Sequence, residues 1–212
     1  NKLIPGPILA FNDLGCSKGG RQLFKGVDCT VQPGRWLHVM GANGAGKTSL
    51  LRMVCGLSPI ESGEILWNGQ SSHAQRGTYQ QDLCYLGHLN GLQESMTVHE
   101  NLAFATALRG CAPSTKAVSA TLVRFGVAGR GEQLVRHLSQ GQKRRVALAR
   151  LSLSPARLWV LDEPFVAMDD TGLRMLSSLI AEHLAGGGIT VLTSHQSVDI
   201  GTVPAQNLEL RA

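Results

Sequence analysis

The stretch Gly41-Ala42-Asn43-Gly44-Ala45-Gly46-Lys47-Thr48 satisfies G-x-x-x-x-G-K-[ST], a spacing suited to holding phosphates. Glycines at 41, 44 and 46 let successive backbone N–H groups turn inward around phosphate oxygens, where a Cβ would intrude. Lys47 offers a point charge to β- and γ-phosphates, and the Thr48 hydroxyl is a ligand for Mg²⁺. A helix beginning near Lys47 adds the positive end of its dipole. A second group, Asp162-Glu163, directly follows the apolar run Leu158-Trp159-Val160-Leu161 and precedes Pro164. Beside a phosphate loop, Asp162 is suited to hold Mg²⁺ through its hydration shell, and Glu163 to polarise an attacking water. An acid pair at a strand end is weak evidence alone. In combination with the loop it points to phosphoryl hydrolysis.

The elements around these residues are legible from their patterns. Trp36-Leu37-His38-Val39-Met40 predicts a strand entering the loop after the turn residues Gln32-Pro33-Gly34. Leu50, Leu51, Met53, Val54 and Leu57 predict a helix leaving it, ended by Gly56 and Pro59. Strand, loop and helix in that order argue against a Gly-rich surface turn. Ile8 to Phe11 and Val27 to Val31 read as strands, the second alternating like a half-exposed antiparallel one. Gly63 to Trp67 is another, followed by the hairpin signal Asn68-Gly69, and Leu83 to Leu86 is a further apolar run. Residues from about 90 to 155 are mostly helical in pattern, with Thr97 and Glu100 set as a capping box and a break over 110–117. Residues 173–184 predict an amphipathic helix stopped by Gly186-Gly187-Gly188, and Ile189 to Leu192 a buried strand before Thr193-Ser194-His195. Strands alternating with helices predict an α/β domain with a largely parallel sheet, whose ligands lie beyond the carboxyl ends of the strands. The phosphate loop, Asp162-Glu163 and His195 all follow predicted strands.

Composition narrows the remaining classes. Apolar content of 43% and charged content of 17% over 212 residues suit a folded domain with one full core. No apolar run approaches the roughly 18–20 residues of a membrane span, and no secretory segment is evident, so a soluble or peripheral protein is expected. Five scattered cysteines without C-x-x-C exclude a dense disulfide framework, a zinc ribbon and covalent c-type haem attachment, and read as reduced cytosolic thiols. The net charge of +5 is uneven: from Arg124 to Arg157 there are eight Arg or Lys residues and one acid, Glu132. A solvated helical face and contact with a nucleotide or anionic lipid both fit that run.

Between the loop and the acid pair lies Leu138-Ser139-Gln140-Gly141-Gln142, followed by Lys143-Arg144-Arg145-Val146-Ala147-Leu148-Ala149-Arg150. Ser139 is placed to cap that helix, Gly141 permits close backbone approach, and Val146, Leu148, Ala149 and Leu151 would pack inward. An ordinary capped helix is the plainer reading. Together with the loop and the acid pair, this segment closely resembles the signature of ABC-transporter ATPase subunits over nearly the whole chain. The resemblance implies a single domain, 1–212, with a P-loop NTPase (RecA-like) core and an antiparallel β subdomain in 1–87 and 158–212. A helical subdomain inserted at about 88–157 would carry the signature. It also implies ATP and Mg²⁺ as cofactors, with residues 41–48 (Gly41, Ala42, Asn43, Gly44, Ala45, Gly46, Lys47 and Thr48) gripping phosphates. Asp162 would support the metal with Thr48, Glu163 would be the base, and His195 the switch histidine. Met168-Asp169 would belong to a dimer-communicating loop, while Ser139, Gly141 and Gln142 would act on nucleotide bound by a second copy in a head-to-tail dimer.

Two positions depart from that family's usual pattern. No aromatic stands near Cys16-Ser17-Lys18-Gly19 to stack on adenine, and Gly87-His88 replaces a glutamine loop, with His88 then a candidate for contact with water or metal. Leu66-Trp67-Asn68-Gly69-Gln70, Gly87-His88, Leu161–Phe165 and Thr193-Ser194-His195-Gln196 further resemble the CcmA group, the ATP-binding subunits of the haem exporter in cytochrome c maturation. That resemblance implies the integral membrane partners CcmB, CcmC and CcmD at the cytoplasmic face of a bacterial inner membrane, with a haem chaperone reached indirectly. Export of a drug, lipid or ion is the alternative. An ABC ATPase acting on DNA or ribosomes would need a long coiled-coil insertion or a second ATPase half, so nucleic acid is not an expected partner. A regulatory module without turnover is argued against by Glu163 and His195.

Overall fold

A computed structural model of the chain describes residues 6–211 except 88, 112, 167, 196, 197 and 202. Two kinds of hydrophobic pattern give two sheets. The first sheet is antiparallel, in the order β2-β1-β4-β5: β1 (Leu9–Lys18), β2 (Arg21–Val31), β4 (Ser62–Trp67) and β5 (Gln70–Ser71). Its strands alternate, as in β2, where Val27 and Val31 are buried and Asp28 and Thr30 exposed. Asn68 and Gly69, at φ 55° and 77°, make the tight turn that pairs Trp67 with Gln70. The second sheet has the order β6-β7-β8-β3-β9: β3 (Trp36–Met40), β6 (Leu83–Leu86), β7 (Leu158–Leu161), β8 (Ile189–Thr193) and β9 (Gln206–Glu209). Here β3 runs parallel to β8 and β9, and β7 parallel to β8. Every residue of β7 and β8 is buried, as expected of parallel strands covered on both faces.

The helices are α1 (Lys47–Val54), α2 (Arg76–Asp82), α3 (Val98–Ala107), α4 (Thr115–Arg124), α5 (Gln140–Ser152) and α6 (Asp170–Ala185), with a short 3₁₀ turn at Val135–His137. In α1, Leu50, Leu51, Met53 and Val54 join a core that also holds Phe11 and Phe24 of the antiparallel sheet and Val39, Val160 and Val191 of the parallel one. Leu50 and Leu51 are fully buried, worth about 1.5–3 kcal/mol each. The helix ends one residue before Cys55, and Leu57, expected on its apolar face, is instead 55% exposed. Gly56 at φ 65° turns the chain left-handed: its N–H donates to the Met53 carbonyl and the Leu57 N–H to the Arg52 carbonyl. That pair of bonds closes the last turn and swings Leu57 outward.

Other expectations need similar adjustment. The break placed at 110–117 ends earlier, because Ser114 accepts from the Ala117 N–H and starts α4 at Thr115. The capping box at Thr97 is present, with the Glu100 N–H donating to the Thr97 hydroxyl and the Thr97 N–H donating to the Glu100 carboxylate. Helix α6 begins at Asp170 rather than 173. Helix α2, polar throughout, is fixed by Tyr79, which is buried and donates to the Val54 carbonyl at 2.6 Å. By internal contacts the chain divides into two units, one of Asn1–Tyr85, Ala156–Pro164 and Ile180–Ala212, the other of Leu86–Pro155 and Phe165–Leu179. Among the described residues no helix is long and apolar enough to cross a membrane.

In the first unit His183 stacks on Trp159, with ring centroids 3.9 Å apart and planes 7° apart, and its Nε2 lies 3.1 Å from the Ile189 carbonyl. Burial lowers its pKa to about 4, against partial compensation from backbone hydrogen bonds at Ile189 and Arg157. Unfolded, the ring takes up a proton near its ordinary 6.5, so between 6.5 and 4 the unfolded state binds more protons. Stability is therefore full above 6.5 and falls as pH drops toward 4, by about 3 kcal/mol from this residue at most. Chemical denaturation at pH 7, 5.5 and 4 is expected to show a shallower acid loss for His183→Gln than for the wild type. Equal slopes would remove His183 from the acid response.

Candidate nucleotide site

The phosphate loop connects the end of β3 to the start of α1. Gly41, Gly44 and Gly46 all have positive φ, at 146°, 83° and 98°. The loop turns on itself through the Ala45 N–H to the Ala42 carbonyl, 3.1 Å, and enters the helix as the Leu50 N–H reaches the Gly46 carbonyl, 2.8 Å. A Cβ at Gly46 would lie 2.9 Å from the Phe24 ring and 3.1 Å from the Leu23 Cβ, so β2 seals the inner side of the loop. A Cβ at Gly44 would meet nothing within 4 Å. The loop is thus packed from behind and open in front, the arrangement that lets backbone N–H groups face an oxyanion. Lys47, 9% exposed, donates its ammonium to the Gly41 and Ala42 carbonyls at 2.8 and 3.3 Å. Its charge is held at the loop rather than in solvent.

At the end of β7, Asp162 is 6% exposed. Its Oδ1 accepts from the Thr193 hydroxyl at 2.8 Å and, at the long distance of 3.5 Å, from Thr48. A buried carboxylate beside a hydroxyl is a small set of hard oxygen donors. It fits Mg²⁺, which keeps most of its waters, better than an ion needing a full protein cage. Glu163 sits at φ 49°, a left-handed conformation that costs a non-glycine residue about 1–2 kcal/mol. Its N–H donates to the Thr193 hydroxyl at 2.9 Å. Its carboxylate, 18% exposed, lies 3.3 Å from Nε2 of His195, itself 54% exposed. His195 follows β8, and the chain there is held by His38 of β3, whose Nε2 is 3.3 Å from the Ser194 carbonyl. The three strand ends expected to share a site thus meet within one unit. Thr193 enters the sequence reading only as the first residue of the stretch Thr193–Gln196, and no site role is assigned to it there.

The second unit positions the other candidates. Ser139 caps α5: its hydroxyl accepts from the Gln142 N–H at 3.2 Å, and the Gln142 side chain accepts from the Ser139 N–H at 3.0 Å. Gly141 faces open space. The capped turn borders a cavity of ≈ 440 Å³ whose lining includes Ser139, Gly141, Gln142, Arg145, Met168 and Asp169. Asp169 accepts from the Gly172 N–H at 2.8 Å and pairs with Arg145 at 3.7 Å. Other cations of the basic run are turned inward on the same unit. Lys143 pairs with Glu94 at 2.5 Å, Arg144 donates to Asn90 at 3.2 Å, and Arg150 donates to the Gly91 carbonyl. Burial also lowers the pKa of Arg144. Neither of the two readings of that run anticipates these partners. His88 lies outside the described residues.

Comparison with known proteins agrees with this geometry. Residues 24–166 match the ABC transporter family. The chain is 71% identical over 206 residues to the cytochrome c biogenesis ATP-binding export protein CcmA of Albidiferax ferrireducens, covering 97% of this chain and 98% of that protein. It is 46% identical to the CcmA of Dechloromonas aromatica, covering 96% of this chain and all of that one (100%). Among solved structures, a putative ABC transporter ATP-binding protein from Pyrococcus furiosus superposes with a TM-score of 0.82 at 26% identity, covering 96% of this chain and 97% of that one.

The packed rear wall of the loop yields a direct test. Gly46→Ala combines a left-handed φ with a contact too short for the Phe24 ring, so a loss of about 2–3 kcal/mol of stability is expected. Binding of a fluorescent ATP analogue should fall with it. A variant that melts and binds like the wild type would show that the loop tolerates a side chain there.

Proposed function

The chain belongs to the ABC transporter family, among the cytochrome c biogenesis ATP-binding export proteins of the CcmA type, and from that premise we propose how its residues turn over ATP. It is the ATP-hydrolysing subunit of an exporter, and the cargo is haem. The chain acts peripherally at the cytoplasmic face of a bacterial inner membrane, through integral membrane subunits of the CcmB, CcmC and CcmD kind. A haem chaperone is reached only through them. The observation that carries the ATP-hydrolysing part of this reading is the meeting of Lys47, the Thr48–Asp162 pair and the Glu163–His195 pair at the ends of three strands in one unit, while haem as cargo is supported by the similarity to the CcmA proteins.

Phosphoryl transfer leaves little covalent work for the protein, so catalysis rests on position and charge. The N–H groups of residues 41–48 take the phosphate oxygens, and Lys47 exchanges the Gly41 and Ala42 carbonyls for the β- and γ-phosphates. Thr48 and Asp162 are the residues that would hold Mg²⁺, which would supply positive charge against that of the phosphates. Glu163 accepts the proton of the water that attacks the γ-phosphorus. His195 steadies the Glu163 carboxylate at 3.3 Å and, being half exposed, can also turn to the γ-phosphate. A second copy supplies Ser139, Gly141 and Gln142: at the N-terminus of α5 the capping box takes the Ser139 and Gln142 N–H groups, and the N–H groups of Gln140 and Gly141 are suited to a phosphate carried by its partner. Met168 and Asp169 line the same cavity and link the two nucleotides.

The exporter reconstituted with its membrane subunits is expected to hydrolyse ATP, and Glu163→Gln to lower the rate about 100-fold or more while leaving ATP binding intact. Equal rates for the two proteins would contradict the assignment of Glu163 as base.

A further inference from the structure

We propose that Thr193 is a positioning residue for hydrolysis: its single hydroxyl holds Asp162 and the Glu163 backbone in fixed relation. This rests on the roles of Asp162 in metal support and Glu163 as base. The hydroxyl has one proton, spent on Asp162 Oδ1 at 2.8 Å, and its oxygen receives the Glu163 N–H at 2.9 Å. The result is a directed chain from the Glu163 N–H through the hydroxyl to the Asp162 carboxylate, in which each bond polarises the next. Because Thr193 occupies one of the two acceptor positions on Asp162 Oδ1, rotating the carboxylate would break that bond.

Three features make this more than a chance contact. Thr193 is fully buried, so its hydroxyl is sheltered from competing water. It is β-branched, with few rotamers open to it in a strand. It also lies at the right height: Leu161 pairs with Leu192, so Thr193 is one step past the end of β7, opposite the turn formed by Asp162 and Glu163. Valine would satisfy that buried strand equally well in shape, so packing alone does not call for a hydroxyl. The left-handed Glu163 is the place where such a hydroxyl has an effect, since that conformation persists only when its surroundings hold it.

The test compares Thr193→Val and Thr193→Ser in the exporter with its membrane subunits. Two quantities are read: ATP hydrolysis, and the Mg²⁺ dependence of nucleotide binding by calorimetry. Valine is expected to lower kcat about 10- to 100-fold and to raise the Mg²⁺ concentration for half-maximal effect about 10-fold. ATP affinity in EDTA should not change, and serine should return both values to within about threefold of wild type. In a Glu163→Gln background, valine should still shift the Mg²⁺ curve yet lower the residual hydrolysis no more than about twofold. Valine matching the wild type in kcat and Mg²⁺ dependence would overturn the proposal, as would serine proving as damaging as valine. If valine fails to fold, Thr193→Ala against Thr193→Ser decides by the same Mg²⁺ curve: a shift for alanine alone supports the role, equal shifts refute it. A wild type without hydrolysis would remove the assignment of Glu163, whereas the Mg²⁺ curve reads Thr193 independently.

Discussion

The site depends on the parallel pairing of β7, β8 and β3. Val39 pairs with Thr193 and Leu161 with Leu192, so the strands end nearly level, and the loops leaving them share one edge of the sheet. Alternation cannot set this register, because both faces of β7 and β8 are buried. Volume does so instead. Thr190 lies beside Trp36 on one strand and Trp159 on the other, a small residue between two large ones. A slip of two residues would set a tryptophan against another position and crowd a core packed at crystal-like density. The placement of Asp162, Glu163 and His195 is in this sense a consequence of side chains well away from them.

Much of this could be read from the residues in order. The loop carries its own physics: glycines where φ must be positive, then a lysine and a threonine at the head of a helix. The capping box at Thr97 and the cap at Ser139 are equally local and form as expected, the latter also drawing in Gln142 as a capping box. The features that escape a sequence reading are non-local. Strand β9 (Gln206–Glu209) is mostly exposed and has no apolar pattern; it exists because β3 offers it an edge. Helix α2 is polar, and only the buried bond from Tyr79 to Val54 explains its place. The contacts of Thr193 escape for the same reason, since they are made with Asp162 and Glu163, some thirty positions away. The basic run fails differently. Charge counting tells how many cations there are, but not that Lys143, Arg144 and Arg150 hold the chain at residues 90–94. Together these contacts fix the segment that precedes α3 to α5, the helix that Ser139 caps.

The two units divide the chemistry between them. One holds the phosphate loop, the acid pair and His195; the other presents the capped start of α5 beside an open cavity with Arg145 and Asp169. Neither holds a complete set for ATP turnover if the α5 N-terminus of one copy must close on the nucleotide of the other. Complementation between two inactive copies puts that division to the test. Lys47→Ala lacks the grip on phosphate, and Ser139→Arg blocks the α5 N-terminus. Mixed in the presence of the membrane subunits, they form one intact composite site per mixed dimer. Each variant alone is expected to be inactive, and the mixture to recover a substantial fraction of wild-type ATP hydrolysis. A mixture as inactive as its components, or a Ser139→Arg protein as active as the wild type, would contradict that division.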